Sequence, residues 1–242
     1  MTRKSTVLVE GYSQFDGVDD RYHIVGSFVY PLLIGARALI GRTKFTLNYI
    51  PAATTSIFAV QTNAGSAGFV LNVTSAGAYQ IAARSREAGT SGIAVHSWGV
   101  SVELRKWVDV IWAVDYTTKE LKVWINGRFS GYINAVGWED NTFQIPYVSQ
   151  NVVFGLASVL WNGRVADSYL ATHSRLPTDN ECLQWFITDQ RPANIVTIFD
   201  IDYSKNIAPV DLSINAMPIV ITGGFTTPYG LHSGCAMARL GV

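Results

Sequence analysis

"WVDVIWAVDYTTKELKVWINGRFSGYI", residues 107–133, decides how this chain folds. Its first ten residues alternate, so that Val108, Val110, Trp112, Val114 and Tyr116 fall on one side of an extended strand. The pattern resumes after a short turn and reverses at Asn126-Gly127. That pair is the strongest short hairpin signal, because both central residues of a type I′ turn need positive φ. With Asn126 and Gly127 as the loop, Ile125 faces Arg128, Trp124 faces Phe129 and Val123 faces Ser130. One face of the ribbon then carries Leu121, Val123, Ile125 and Tyr132. The other stacks Trp124 on Phe129, with Ile133 beyond. Two partly apolar faces call for a second sheet on one side and a loop, helix or neighbour on the other.

The same period-two alternation recurs at 44–50, 56–62, 68–74, 78–84, 92–98, 151–158, 163–172, 194–202 and 217–224, separated by Gly, Asn, Ser and Thr clusters. Many short antiparallel strands are the expectation, and the chain is all-β. One helix interrupts them. In "LPTDNECLQWFI" (176–187), Thr178 and Glu181 have the spacing of a capping box, and Cys182, Trp185 and Phe186 supply an apolar stripe behind it. A short capped helix is therefore expected near 178–187.

A chain of 242 residues is within reach of one large sandwich, and no repeat, charge run or Pro-rich linker marks a boundary, so 1–242 is read as a single domain. Eighteen basic residues balance eighteen acidic ones, and only 15% of residues are charged, which leaves no field to draw in nucleic acid or an anionic membrane. Hydrophobic residues reach 48%. Either a large core or a surface covered by partners accounts for that. Cys182 and Cys235 are too few for a disulfide framework and lack metal-ligand spacing, so both are read as reduced. The first residues have no apolar run of signal-peptide length, and no stretch approaches the ~20 residues that span a bilayer. Synthesis in a cytoplasm without anchoring is expected.

Four stretches resemble the concanavalin A-like jelly roll, in particular the laminin-G-like domains common in secreted and bacteriophage proteins. They are "FDGVDDRYHI" (15–24), the 107–133 segment, "VVFGLASVLWNGRVADSYLATHSRLPTDNE" (152–181) and "VDLSINAMPIVITGG" (210–224). The resemblance implies an antiparallel two-sheet jelly-roll sandwich. In many relatives the last stretch precedes the first. Its place here leaves two arrangements open: pairing within the chain, or docking of a C-terminal strand and tail (210–242) on a neighbour.

Relatives that cleave β-glucans carry two carboxylates on one strand face as Glu-x-Asp-x-x-Glu or a near variant, and a retaining pair must stand about 5 Å apart. No such motif occurs here, and Glu139 beside Asp140 would point to opposite faces of a strand. His23, His96, His173 and His232 are isolated, and no G-x-S-x-G elbow is present. The chain is read as a non-enzyme. A hydrolase with an unfamiliar site would need a carboxylate pair in a groove, for example one involving Glu103, Asp109 or Asp115.

Asp200, Asp202, Asn206 and Asp211 offer oxygen ligands of the kind calcium prefers, as do Asp16, Asp19 and Asp20. Turn chemistry is the simpler reading of both groups, and no metal or cofactor is expected. Sugar sites stack a ring on an aromatic side chain and fix hydroxyls with carboxylates and amides. Trp138 with Glu139, Asp140 and Asn141, or Trp161 with Asn162 and Arg164, have that chemistry, and both groups lie in apparent turns. Burial of these tryptophans at a sandwich rim or subunit contact is the competing reading. The first functional expectation is a non-catalytic structural protein of a bacteriophage virion, in a head decoration, tail or fibre, with other virion proteins and copies of itself as partners. The second is a module recognising cell-surface polysaccharide.

Overall fold

The computed structural model describes residues 12–17, 21–61, 67–83, 94–98, 103–134, 141–143, 152–156, 162–202, 210–222, 225–227 and 230–232. The chain begins with β1 (Ser13–Asp16), β2 (Arg21–Ile24) and α1 (Gly26–Leu33). There follow β3 (Ala38–Leu47), β4 (Thr55–Gln61), β5 (Ala67–Val73), β6 (Tyr79–Ala83) and β7 (Ala94–Trp98). The central group is β8 (Val108–Asp115), β9 (Glu120–Ile125), β10 (Arg128–Asn134), β11 (Val152–Leu156) and β12 (Asn162–His173). After α2 (Asp179–Thr188) come β13 (Ile195–Asp202), β14 (Val210–Asp211), β15 (Ile219–Thr222), β16 (Phe225–Thr227) and β17 (Gly230–His232).

These strands form two antiparallel sheets. The first runs β10-β9-β8-β3-β12 and then divides: the start of β12 carries β1, β16 and β17, and its end carries β13 and β14. The second runs β15-β2-β11-β4-β5-β6-β7. Within the chain β15 pairs with β2 and β16 with β1, so the segment after 210 adds to both sheets beside the N-terminal strands.

Between the sheets lies a continuous core that includes Val108, Val110, Trp112, Val114 and Tyr116, the face read from the alternation. Phe69 stacks on Trp112 with ring centroids 3.5 Å apart. Across the ladder from Trp112 stands Gly41, where a Cβ would come within 2.2 Å of the indole, so only glycine admits the ring. Truncating such a side chain costs about 3–5 kcal/mol.

The hairpin turns as expected, with φ of 50° at Asn126 and 74° at Gly127, and it pairs Ile125 with Arg128 and Trp124 with Phe129. The next pair differs. Val123 lies opposite Gly131, not Ser130, because a bulge between Phe129 and Gly131 adds one residue to β10. One added residue moves every later side chain to the other face. Ile133 therefore packs against the inter-sheet core, while Tyr132 comes opposite Lys122 on the Trp124 face and stays exposed.

The sequence showed one helix, and the described residues hold two. α1 has no side-chain cap and holds Pro31 in its interior, so it lacks the usual start signal and carries a breaker. Burial of Val29, Tyr30 and Leu33 in the core holds it instead. α2 is the helix expected near 178–187. The Thr178 hydroxyl accepts from the Glu181 N–H, and the Glu181 carboxylate accepts from the Thr178 N–H. Its buried Cys182 and Trp185 lie against Ile40, Ile111, Ala113, Trp124, Tyr169 and Ala171, the outer face of the ten-stranded sheet.

Candidate functional site

That outer face has two halves. Under α2 it is closed around Arg42, which is 3% exposed. Arg42 donates from Nε and Nη2 to both carboxylate oxygens of Asp109, at 2.6–3.2 Å. Its Nη1 donates to the Trp185 carbonyl at 3.1 Å and to Asp189 at 2.5 Å. The guanidinium also lies 5.4 Å from the Trp185 ring. Burial alone would lower its pKa, but the hydrogen bonds and charge of Asp109, with Asp189 and Asp167 beyond, outweigh that and raise it. The cluster fastens α2 to the sheet.

Toward the Asn48 end of β3, neither of the two described helices covers this face. On β12, Asn162 and Arg164 are two residues apart and so share this face, in register with Asp16 and Gln14 of β1 and with Thr46 of β3. Arg164 stacks 4.7 Å from the ring of Tyr12, and Tyr12 meets Trp107 with centroids 6.0 Å apart. Tyr12 leads into β1 and Trp107 into β8, so this contact spans β12 and β3. Thr46 beneath it is 2% exposed and takes the Arg164 N–H on its hydroxyl at 3.2 Å. The turn before Trp107 is tied down by the Arg105 N–H, which donates to the Leu47 carbonyl at 2.6 Å.

Amides border this stack. The Asn48 side chain donates to the Asn162 side-chain carbonyl, and its backbone N–H donates to the Asn162 backbone carbonyl at 2.9 Å. Next to them Tyr49 is 46% exposed, and its hydroxyl reaches Gly17, where φ is 81° and a Cβ would stand 2.6 Å from that oxygen. Arg164 itself is half-buried. Its Nε is buried without a hydrogen-bond partner, and among the described residues no carboxylate bonds its guanidinium. Aromatic faces, two amides and one unneutralised guanidinium thus converge on one surface.

Of the residues singled out in the sequence, Asn162 and Arg164 are brought together here. Trp138, Glu139, Asp140 and Trp161 lie outside the described residues. Asn141 is exposed, and its carbonyl accepts from the Thr117 hydroxyl at 3.2 Å. It therefore sits near the Arg37 end of β3, where the Tyr116 N–H meets the Arg37 carbonyl. The ten residues of β3 put it about 30 Å from Asn162. Asn141 and Asn162 therefore do not share one site. Tyr12, Asn48, Tyr49 and Trp107 were not singled out, since they come from three separate regions of the chain that only the strand order brings side by side. Asn162 and Arg164, expected in a turn, lie instead in β12, where alternation puts them on one face.

Of the oxygen-rich groups, Asp200 and Asp211 are engaged in structure. Asp211 accepts the N–H groups of Asp200, Ser213 and Met217 and the Ser213 hydroxyl, all at 2.7–2.9 Å. Asn215 donates to the Thr197 and Ile198 carbonyls. "DLSIN" is thus a staple that fixes the turn onto β13. Asp200 bonds Arg191 at 2.5 Å, and burial raises its carboxyl pKa against the pull of that arginine. Asn206, Asp19, Asp20 and the side chains of Asp16 and Asp202 lie outside what is described. Among the described residues no group of three His, Cys, Asp or Glu side chains is placed to hold a metal ion.

The carboxylates that a hydrolase would need are also placed. Asp109 is taken by Arg42, Asp115 accepts the N–H groups of Thr117 and Thr118, and Glu103 pairs with Lys106. Burial pushes the Cys182 thiol pKa up, with the charges of Glu181 and Asp179 adding to it, so it is a packing residue in the thiol form.

No protein-family model matches the sequence, and no curated protein matches it. The fold is shared with solved structures. A native heptameric SAP-like pentraxin from Limulus polyphemus matches at 16% identity over 95% of this chain and 97% of its own, with a TM-score of 0.58. A candidate carbohydrate-binding protein from Bacteroides ovatus matches at 14% identity over 92% of this chain, with a TM-score of 0.61. The chain spans 62% of the length of the latter. The jelly-roll sandwich implied by the four sequence stretches is therefore the fold of this protein. Neither of these proteins is described as a virion component, and the virion expectation draws no support from them.

Proposed function

We propose that this protein is a non-catalytic, lectin-like glycan-binding domain, and that its site is the half of the ten-stranded sheet toward Asn48, which neither described helix covers. The observation that carries the reading is the Trp107–Tyr12–Arg164 stack bordered by Asn48 and Asn162. Aromatic faces cover the apolar side of a sugar ring, and fixed amide and guanidinium groups meet its hydroxyls at little further ordering cost. The shared fold with a candidate carbohydrate-binding protein supports the reading at the level of architecture. Cell-surface polysaccharide is the partner that this chemistry suits.

The test is a glycan array probed with the intact chain and with Trp107→Ala and Tyr12→Ala, followed by calorimetry on the ligands found. Saturable binding that weakens about tenfold in either variant, with no product released from the bound glycan, is the expected result. Binding to no glycan, or binding unchanged in both variants, rejects this site.

A further inference from the structure

Resting on that reading, we infer that the site selects a carboxylate-bearing sugar, a uronate or a sialate, through the guanidinium of Arg164. Among the described residues the other stacked or ion-paired arginines meet carboxylates: Arg37 meets Asp115, Arg42 meets Asp109 and Asp189, Arg175 meets Glu181 and Arg191 meets Asp200. Arg164 differs in having Tyr12 as its partner and no carboxylate bonded to it among the described residues. A ring under one face of a guanidinium leaves its hydrogen-bonding edge unused and fixes the plane in which that edge lies. Its buried, unbonded Nε–H adds to this unmet donor capacity.

A planar pair of N–H donors matches a carboxylate, which accepts two parallel hydrogen bonds and returns the charge the site lacks. A neutral hexose offers single hydroxyls and leaves the positive charge in place. The amides of Asn48 and Asn162 stand on the same face of the sheet, where they can hold hydroxyls of the same sugar while its carboxylate meets Arg164. The chain carries no net charge, so discrimination must come from this local group and not from a long-range field.

The experiment titrates the full chain with a panel of uronate- and sialate-bearing oligosaccharides, each beside its carboxyl-reduced form, and repeats this with Arg164→Gln and Arg164→Lys. The acid form should bind at least about tenfold more tightly than the reduced form, and added salt should narrow the gap. Arg164→Gln should abolish the preference, weakening the acid form about tenfold more than the reduced form, while Arg164→Lys should restore part of it, as a charge without the fork. Equal binding of both forms, or a preference that survives Arg164→Gln in a chain of unchanged melting temperature, overturns the inference and leaves glycan binding standing. Binding of no oligosaccharide, acidic or neutral, overturns both.

Discussion

Arg42 and Arg164 project from the same face of the same sheet, and each lies against an aromatic ring. Only their partners differ. Arg42 is enclosed by α2, and Asp109, Asp189 and the Trp185 carbonyl together engage all three of its nitrogens. Arg164 is half-buried, with a ring beside it and no carboxylate bonded to it among the described residues. A charge that is buried and fully bonded fastens two elements together. A charge held in place but not neutralised is available to a ligand, and that contrast separates the structural half of the face from the candidate site.

The largest effect should follow from breaking the closed half. Asp109→Ala leaves a guanidinium buried with only a surface carboxylate to answer it, and should destabilise the chain by about 3–5 kcal/mol in denaturant unfolding. A cost below about 1 kcal/mol would mean that Arg42 finds water, and that the two halves differ less than their geometry says.

Thr178→Ala should cost about 1 kcal/mol by the same measurement, since it removes the side-chain cap of α2 and with it one half of the capping box. The box also makes the closed half sensitive to acid. Arg175 hydrogen bonds, with those of Thr178, hold the Glu181 carboxyl down to about 2 against an ordinary value of 4.5, despite partial burial that raises it. A depressed carboxyl stabilises the fold above the unfolded value and ceases to do so as pH falls through the folded one. The gap between the Thr178→Ala and wild-type melting temperatures should therefore narrow between about pH 4.5 and 2, as protonation removes the bond from the Thr178 hydroxyl to Glu181 that the variant already lacks, and a gap that stays constant across that window would separate Glu181 from the cap.

The smallest effect on stability should come from the half toward Asn48. Arg164→Ala should change it by no more than about 1 kcal/mol, because no ion pair among the described residues is lost. A loss as large as that of Asp109→Ala would make this half a second structural clamp and remove the reason to read it as a ligand surface.

Much of the scaffold was legible because it follows local periodicity. The face of β8 from Val108 to Tyr116, the Asn126-Gly127 turn and the Thr178 capping box each rest on residues close in sequence, and each stands as read. The bulge at Ser130 was not legible. It adds one residue so that Ile133, not Tyr132, joins the core, and that choice depends on what lies above β10. α1 escaped for a related reason: Pro31 and the missing cap argue against a helix locally, and burial against the sheets overrides both.

For the candidate site the division is sharper. The sequence singled out Asn162 and Arg164 for their chemistry, and only the strand β12 shows that they share a face. Their companions Tyr12, Asn48 and Trp107 come from three other parts of the chain, and adjacency among β1, β12, β3 and β8 is a property of the sheet order. The sequence by itself determined the strands, the hairpin and the cap, since these are set by neighbours along the backbone. The tertiary structure decided which arginine is neutralised and which is not, because charge pairing at this distance depends on the elements that the fold lays over each end of the sheet.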